Sequence, residues 1–162
     1  MMEQVRIAPD CSPEEFAPFG EIITRPTVAG QRQFYSDWLG GEGLKPVFHV
    51  NNVLTSTLPI AIKMLERHPH AAQCFVPLDV SRYLVTVAPS LPDGSADLAG
   101  LKSFIFPGTV GVIYRQGVWH AGASVLDRAG AFAVLMWRGS SDDDVFAEIP
   151  PTQLVADRGV LV

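Results

Sequence analysis

Positive charge is scarce in this 162-residue sequence: twelve lysines and arginines, scattered rather than grouped, stand against seventeen acids, for a net charge of −5. A basic surface supplies most of the affinity for a phosphate backbone, so the reading excludes nucleic acid as a partner. Long apolar runs are missing as well; none approaches the roughly 20 residues that span a bilayer. The opening MMEQVRIAPD holds no apolar segment of the kind a secretion signal needs. Cysteine is nearly absent. Cys11 and Cys74 stand in unlike contexts, with no CxxC and no second pair, which reads as free thiols in a reducing compartment. Walker, GxGxxG and GxSxG signatures are also missing. Hydrophobic residues at 48% against 18% charged exclude a disordered chain, and the length suits one domain over 1–162. The expectation is a cytoplasmic globular protein with no membrane partner.

What the sequence does contain is strand. Residues 47–53, 59–68, 73–77, 82–88, 102–106, 111–114, 117–125 and 131–137 are mostly rich in β-branched or aromatic side chains. Turn signals separate many of them, and Pro92-Asp93-Gly94 has the order a tight turn prefers. Ahead of the strands, Ser12 reads as a helix N-cap, Pro13 as the first helical position and Glu15 as the partner completing a capping box. Gly20 stops that helix, and residues 21–24 begin a strand. Residues 26–45 contain four glycines and little periodicity, an irregular segment carrying Phe34, Tyr35 and Trp38. The pattern allows a helix at 96–101, and the tail from Pro150-Pro151-Thr152 onward reads as a connection followed by a turn or helix. The sum is mainly β: an antiparallel β-barrel or sandwich with a short N-terminal helix.

Strand side chains alternate between faces. In 59–68 this puts Ile60, Ile62, Met64, Glu66 and His68 on one side, apolar until the last two. Such a strand either leaves the core to line a cavity mouth or simply ends in solvent. A second cluster, Tyr114, Arg115, Trp119 and His120, surrounds the turn at Gln116-Gly117. A third runs from Trp137-Arg138 into Asp142, Asp143 and Asp144, read as a solvated turn. His68, His70, Gln73 and the distant His120 approximate a ligand set for a divalent first-row metal, although Pro69 interrupts the strand between the first two.

Four blocks, SPEEFAPFGEII, LERHPHAAQCFVPL, GTVGVIYRQGVWHAG and WRGSSDDDVFAEIP, resemble the ureidoglycolate lyase family. Glu66-Arg67-His68-Pro69 with Gln73, Phe75 and Pro77, and then Trp119-His120, are the most specific parts; His70, Ala121 and Gly122 depart from the family pattern. The resemblance implies a cupin-like barrel, a homodimer, and cleavage of ureidoglycolate to glyoxylate and urea in purine and allantoin breakdown. That elimination needs a base for the hydroxyl proton, an acid for the departing nitrogen and a cation for the carboxylate. The resemblance therefore implies Glu66, His68 and His120 as catalytic residues. It implies Gln73, Arg115 and Arg138 as substrate-binding residues, with Trp119 or Trp137 as wall. The alternatives are a metal-dependent cupin enzyme acting on another small hydroxy or oxo acid, and a non-catalytic binding protein.

Overall fold

The computed structural model describes residues 2–157 and 159. In chain order its strands are β1 (Glu3–Ala8), β2 (Gly20–Ile23), β3 (Lys45–Val53), β4 (Ile60–Arg67), β5 (Gln73–Pro77), β6 (Arg82–Ala88), β7 (Lys102–Pro107), β8 (Gly111–Tyr114), β9 (Trp119–His120), β10 (Ser124–Leu126), β11 (Gly130–Arg138) and β12 (Val145–Val155), with helix α1 (Pro13–Phe16) between β1 and β2. One sheet runs β10-β6-β7-β1-β12-β4-β9, and because β9 also pairs with β6 it closes on itself. The other runs β2-β8-β5-β11-β3. The mainly β architecture with a short N-terminal helix is as expected. The ladders are antiparallel except at β1, which lies parallel to both β12 and β7.

Alternation within the strands builds the core. Tyr83, Val85 and Val87 of β6 and Phe104 and Phe106 of β7 meet Val112 and Tyr114 of β8 and Phe132 and Val134 of β11. Phe16 of α1 inserts against Phe106 and Tyr114, which is why so short a helix persists. Its capping box is formed as read: Glu15 N donates to Ser12 Oγ, and Ser12 N to Glu15 Oε2. The opposite faces of β4, β6 and β9 pack a separate cluster containing Leu65, Ala88, Trp119 and Ile149.

Several expectations are corrected. The tail forms the second half of β12, because Pro150 and Pro151 fall where the β4–β12 register shifts between Glu148 and Thr152, a place that needs no ladder N–H from them. Residues 158 and 160–162 of that tail lie outside the described residues. The helix at 96–101 is only a 3-10 turn, Leu98–Gly100, capped by Asp97. The single strand at 117–125 divides into β9 and β10, and β1 is a strand the sequence reading passes over. Alternation along β4 is also broken. Met64 is exposed, and Ile62 shares a cluster with Leu65 beside the register shift, while Glu66 and His68 still share a face.

Candidate active site

Glu66 stands at the end of β4 and His120 on β9, and the β4–β9 ladder sets the two directly opposite each other. The turn before β9 joins them to His68: Gly117 N donates to the His68 carbonyl and Gln116 Nε2 to the Pro69 carbonyl, both at 2.8 Å. Gly117 has φ +77°, a backbone geometry that costs glycine little.

The result is a compact trio. Ligand-capable atoms of Glu66, His68 and His120 all lie within 4.8 Å of one another. The two imidazoles are buried, with centroids 5.3 Å apart. Each ring is aimed by its other nitrogen. His120 Nδ1 lies 3.0 Å from the Val118 carbonyl; His68 Nδ1 lies 3.2 Å from the Asp143 carbonyl and 2.9 Å from Asp144 Oδ1. A carbonyl only accepts, so Nδ1 carries a hydrogen on both rings, and Nε2 presents a lone pair on a neutral ring and an N–H on a protonated one. Both Nε2 atoms are buried and, among the described residues, have no hydrogen-bond partner.

Two lone pairs and a carboxylate facing one buried point repel one another unless a proton or a cation lies among them. His120 Nε2 stands 3.4 Å from Glu66 Oε1, an ion-pair distance, too long for a well-formed hydrogen bond. The contact with His120 is the main influence holding the Glu66 carboxyl below its ordinary range, against the opposing effect of burial. Tyr114 supports the site from beneath: its ring stacks on His120 with centroids 4.2 Å apart and planes 11° from parallel.

Gln73, on the inward face of β5, donates through Nε2 to Met136 Sδ at 3.7 Å, while its Oε1 is buried and unpartnered among the described residues. Arg138 continues the inward row Phe132, Val134 and Met136 of β11 and grips Asp144 with two hydrogen bonds of 2.8 and 3.0 Å. The cavity between Glu66, Tyr114, His120 and Phe132 measures about 10 Å³, room for a single water. A larger ligand therefore meets the trio from the outer side, where Glu66, Asp144 and Arg138 are 25%, 26% and 40% exposed. A separate cavity of about 550 Å³, mostly apolar, is lined by Cys11, Pro13, Ile105 and Phe106 and shares no residue with the trio.

Other candidates lie elsewhere. Trp119 points to the opposite face from His120, under the Arg67 guanidinium and donating to the Gly94 carbonyl. Trp137 likewise faces away from Arg138, with its Cβ against Gly41. Arg115 lies over Trp38 and donates to the Ala17 carbonyl, lining a separate cavity with Asp37 and Glu42. His70 is exposed and pairs with Asp142 at 2.7 Å, outside the trio. The reading of Asp142, Asp143 and Asp144 as a solvated turn holds for the first two, which lie in a turn open to solvent and pair with His70 and with the Gly139 and Ser140 amides; it fails for Asp144, which turns to His68 and Arg138. Asp144 and Tyr114 are thus site residues that the sequence reading does not assign. The β4–β12 register, which pairs Val145 with Arg67, is what brings Asp144 to His68.

Residues 2–155 match the family described as ureidoglycolate lyase. A ureidoglycolate lyase of Burkholderia cepacia is 34% identical over 133 residues, 75% of this chain and 73% of that one. One from Burkholderia mallei is 31% identical over 156 residues, 90% of each chain, and one from Pseudomonas aeruginosa 32% identical over 164 residues, 91% and 93%. Among solved structures, RmlC from Streptococcus suis aligns with a TM-score of 0.45 at 14% identity, over 60% of this chain and 46% of that one.

Proposed function

The chain belongs to the ureidoglycolate lyase family, and from that premise we propose that it cleaves ureidoglycolate to glyoxylate and urea, a carbon–nitrogen elimination late in purine and allantoin breakdown, in the cytoplasm. The observation that carries the reading is the convergence of Glu66, His68 and His120 within 4.8 Å. His68 Nε2, a lone pair aimed into the site, takes the substrate's hydroxyl proton. The O–H electrons become the carbonyl bond of glyoxylate, and the carbon–nitrogen bond breaks. His120, protonated and held by Glu66, gives its proton to the departing urea nitrogen. One proton leaves oxygen and one arrives at nitrogen, and exchange with water resets the pair. Gln73 offers the ureido N–H groups a carbonyl oxygen that is unpartnered among the described residues. Arg138 retains N–H groups beyond those spent on Asp144 for the substrate carboxylate. The placement of Arg115, Trp119 and Trp137 gives them no part in this reading.

The same trio suits a divalent metal: two imidazole lone pairs, each with Nδ1 tied back as in metal-ligating histidines, and a carboxylate. Glu66, His68 and His120 would hold it, and it would supply Lewis acidity toward the substrate oxygens.

His68→Ala and His120→Ala are each expected to lower kcat by about 10²–10⁴, measured as urea and glyoxylate released from ureidoglycolate. Near-wild-type turnover in both sinks the assignment, and ammonia in place of urea would make the reaction a hydrolysis. Activity that survives chelation in metal-free protein supports the direct acid–base roles. Loss on chelation, restored by an added ion, assigns the trio to the metal.

We also propose that the protein is a homodimer joined through β3. This strand forms one edge of its sheet and exposes Phe48 and Val50, side chains that a solvent-facing edge normally avoids.

A further inference from the structure

We propose that Asp144 is the positioning residue of the site, fixing the tautomer of His68 so that its Nε2 lone pair faces the reacting atoms, and that Arg138 holds Asp144 in place. The inference rests on the proposed role of His68. It starts from one carboxylate with two partners: Asp144 Oδ1 lies 2.9 Å from His68 Nδ1, and its two oxygens lie 3.0 and 2.8 Å from Arg138 Nη2 and Nη1. A guanidinium only donates and a carboxylate only accepts. Asp144 can therefore offer His68 nothing but an acceptor, and Nδ1 must carry the hydrogen.

The loop that delivers Asp144 is itself tied down. The Asp143 carboxylate accepts from Gly139 N and Ser140 N, both at 2.9 Å. Asp142 accepts from Ser140 Oγ at 2.7 Å and meets His70 Nε2 at 2.7 Å. Three consecutive aspartates thus divide the work: two hold the loop and the third reaches the buried histidine.

The two-sided demand on Asp144 allows a sharp test. Asp144 Oδ1 faces His68 Nδ1 and Arg138 Nη2 together, so in Asp144→Asn an amide oxygen in that place satisfies both, and Arg138 Nη1 loses its acceptor. The native tautomer is kept. In Asp144→Ala only the Asp143 carbonyl, 3.2 Å from Nδ1, remains as an acceptor, and hydrogen shifts to Nε2, removing the inward lone pair. The expected order of kcat is therefore wild type, then Asn, then Ala, with Ala about tenfold or more below wild type, because a wrong tautomer disables an imidazole base outright. Asp144→Glu is expected to restore part of the loss. A role in shape or loop stability alone would lower activity in Ala while leaving the His68 tautomer as it is in the wild type.

Long-range ¹H–¹⁵N spectra of ¹⁵N-histidine-labelled protein give the second readout. His68 should show hydrogen on Nδ1 in the wild type and in Asn, and a share of it on Nε2 in Ala. A His68 spectrum unchanged between wild type and Ala overturns the inference, as does an Ala variant as active as Asn. The spectra need no substrate, so they decide the tautomer even if ureidoglycolate turnover fails and the proposed activity falls with it.

Discussion

His120 keeps its plane because Tyr114 lies flat beneath it, ring against ring, while Phe75 meets Tyr114 edge-on with centroids 6.0 Å apart. Such aromatic contacts are worth about 0.5–1.5 kcal/mol beyond the area they bury. Tyr114→Phe keeps the shelf and is expected to hold kcat within about twofold. Tyr114→Leu removes it and should lower kcat by roughly two- to tenfold, the rate equivalent of that energy, with Tm measured alongside to confirm folding. At this scale, much of the trio is legible in the sequence. Glu66 and His68 share a strand face by alternation, and the family resemblance supplies His120. The same alternation separates Trp119 from His120 and Trp137 from Arg138, so placing both members of either pair in one pocket fails on strand geometry. Asp144 is illegible for a different reason. A run of three aspartates looks solvated wherever it occurs, and only pairing of β12 with β4, distant in sequence, turns one of them toward a buried histidine.

Between elements, one ion pair fastens the start of β6 to the turn after β10. Asp127 accepts from Arg82 Nε and Nη2 at 2.8 and 2.6 Å, and Ser81 Oγ donates to it as well. The Arg82 hydrogen bonds are the main cause holding the Asp127 carboxyl below its ordinary value. A carboxyl whose folded pKa is depressed stabilises the fold above its unfolded pKa of about 3.9 and loses that contribution as pH falls through the folded value. Asp127 also has φ +71°, which asparagine tolerates well. Asp127→Asn should therefore melt lower than wild type at pH 7, with the gap in Tm narrowing as pH falls below 4. A gap that is constant with pH would show that the charge is not the cause. Most strands are legible because their side chains alternate and turn residues bound them. β12 is not, since Pro150-Pro151 imitates a break when seen without the register shift that accommodates it. β9 and β10 blur into one strand because the irregular residues between them, Ala121 to Ala123, carry no proline or charge to mark the interruption.

For the molecule as a whole, a β-rich fold follows from composition and turn spacing, whereas the ring formed by β6, β7, β1, β12, β4 and β9 does not. Its closure rests on pairings between distant residues that no local pattern encodes. The edge strand β3 carries the proposed dimer, and the prediction belongs here: Phe48→Lys with Val50→Lys should halve the mass measured by light scattering. A mass unchanged by the double substitution would move the interface elsewhere or remove it. The ring has a further consequence. Its clasp, β9, is two residues long and meets β4 at one residue pair and β6 at two, whereas β11 is paired along its length with β3. Local opening costs least where the fewest contacts must be released. Unclasping β9 would draw His120 off Tyr114 and away from Glu66, and Trp119 out of its buried cluster, so the proposed chemistry would hang on a seam of three residue pairs, anchored by the two buried rings it carries.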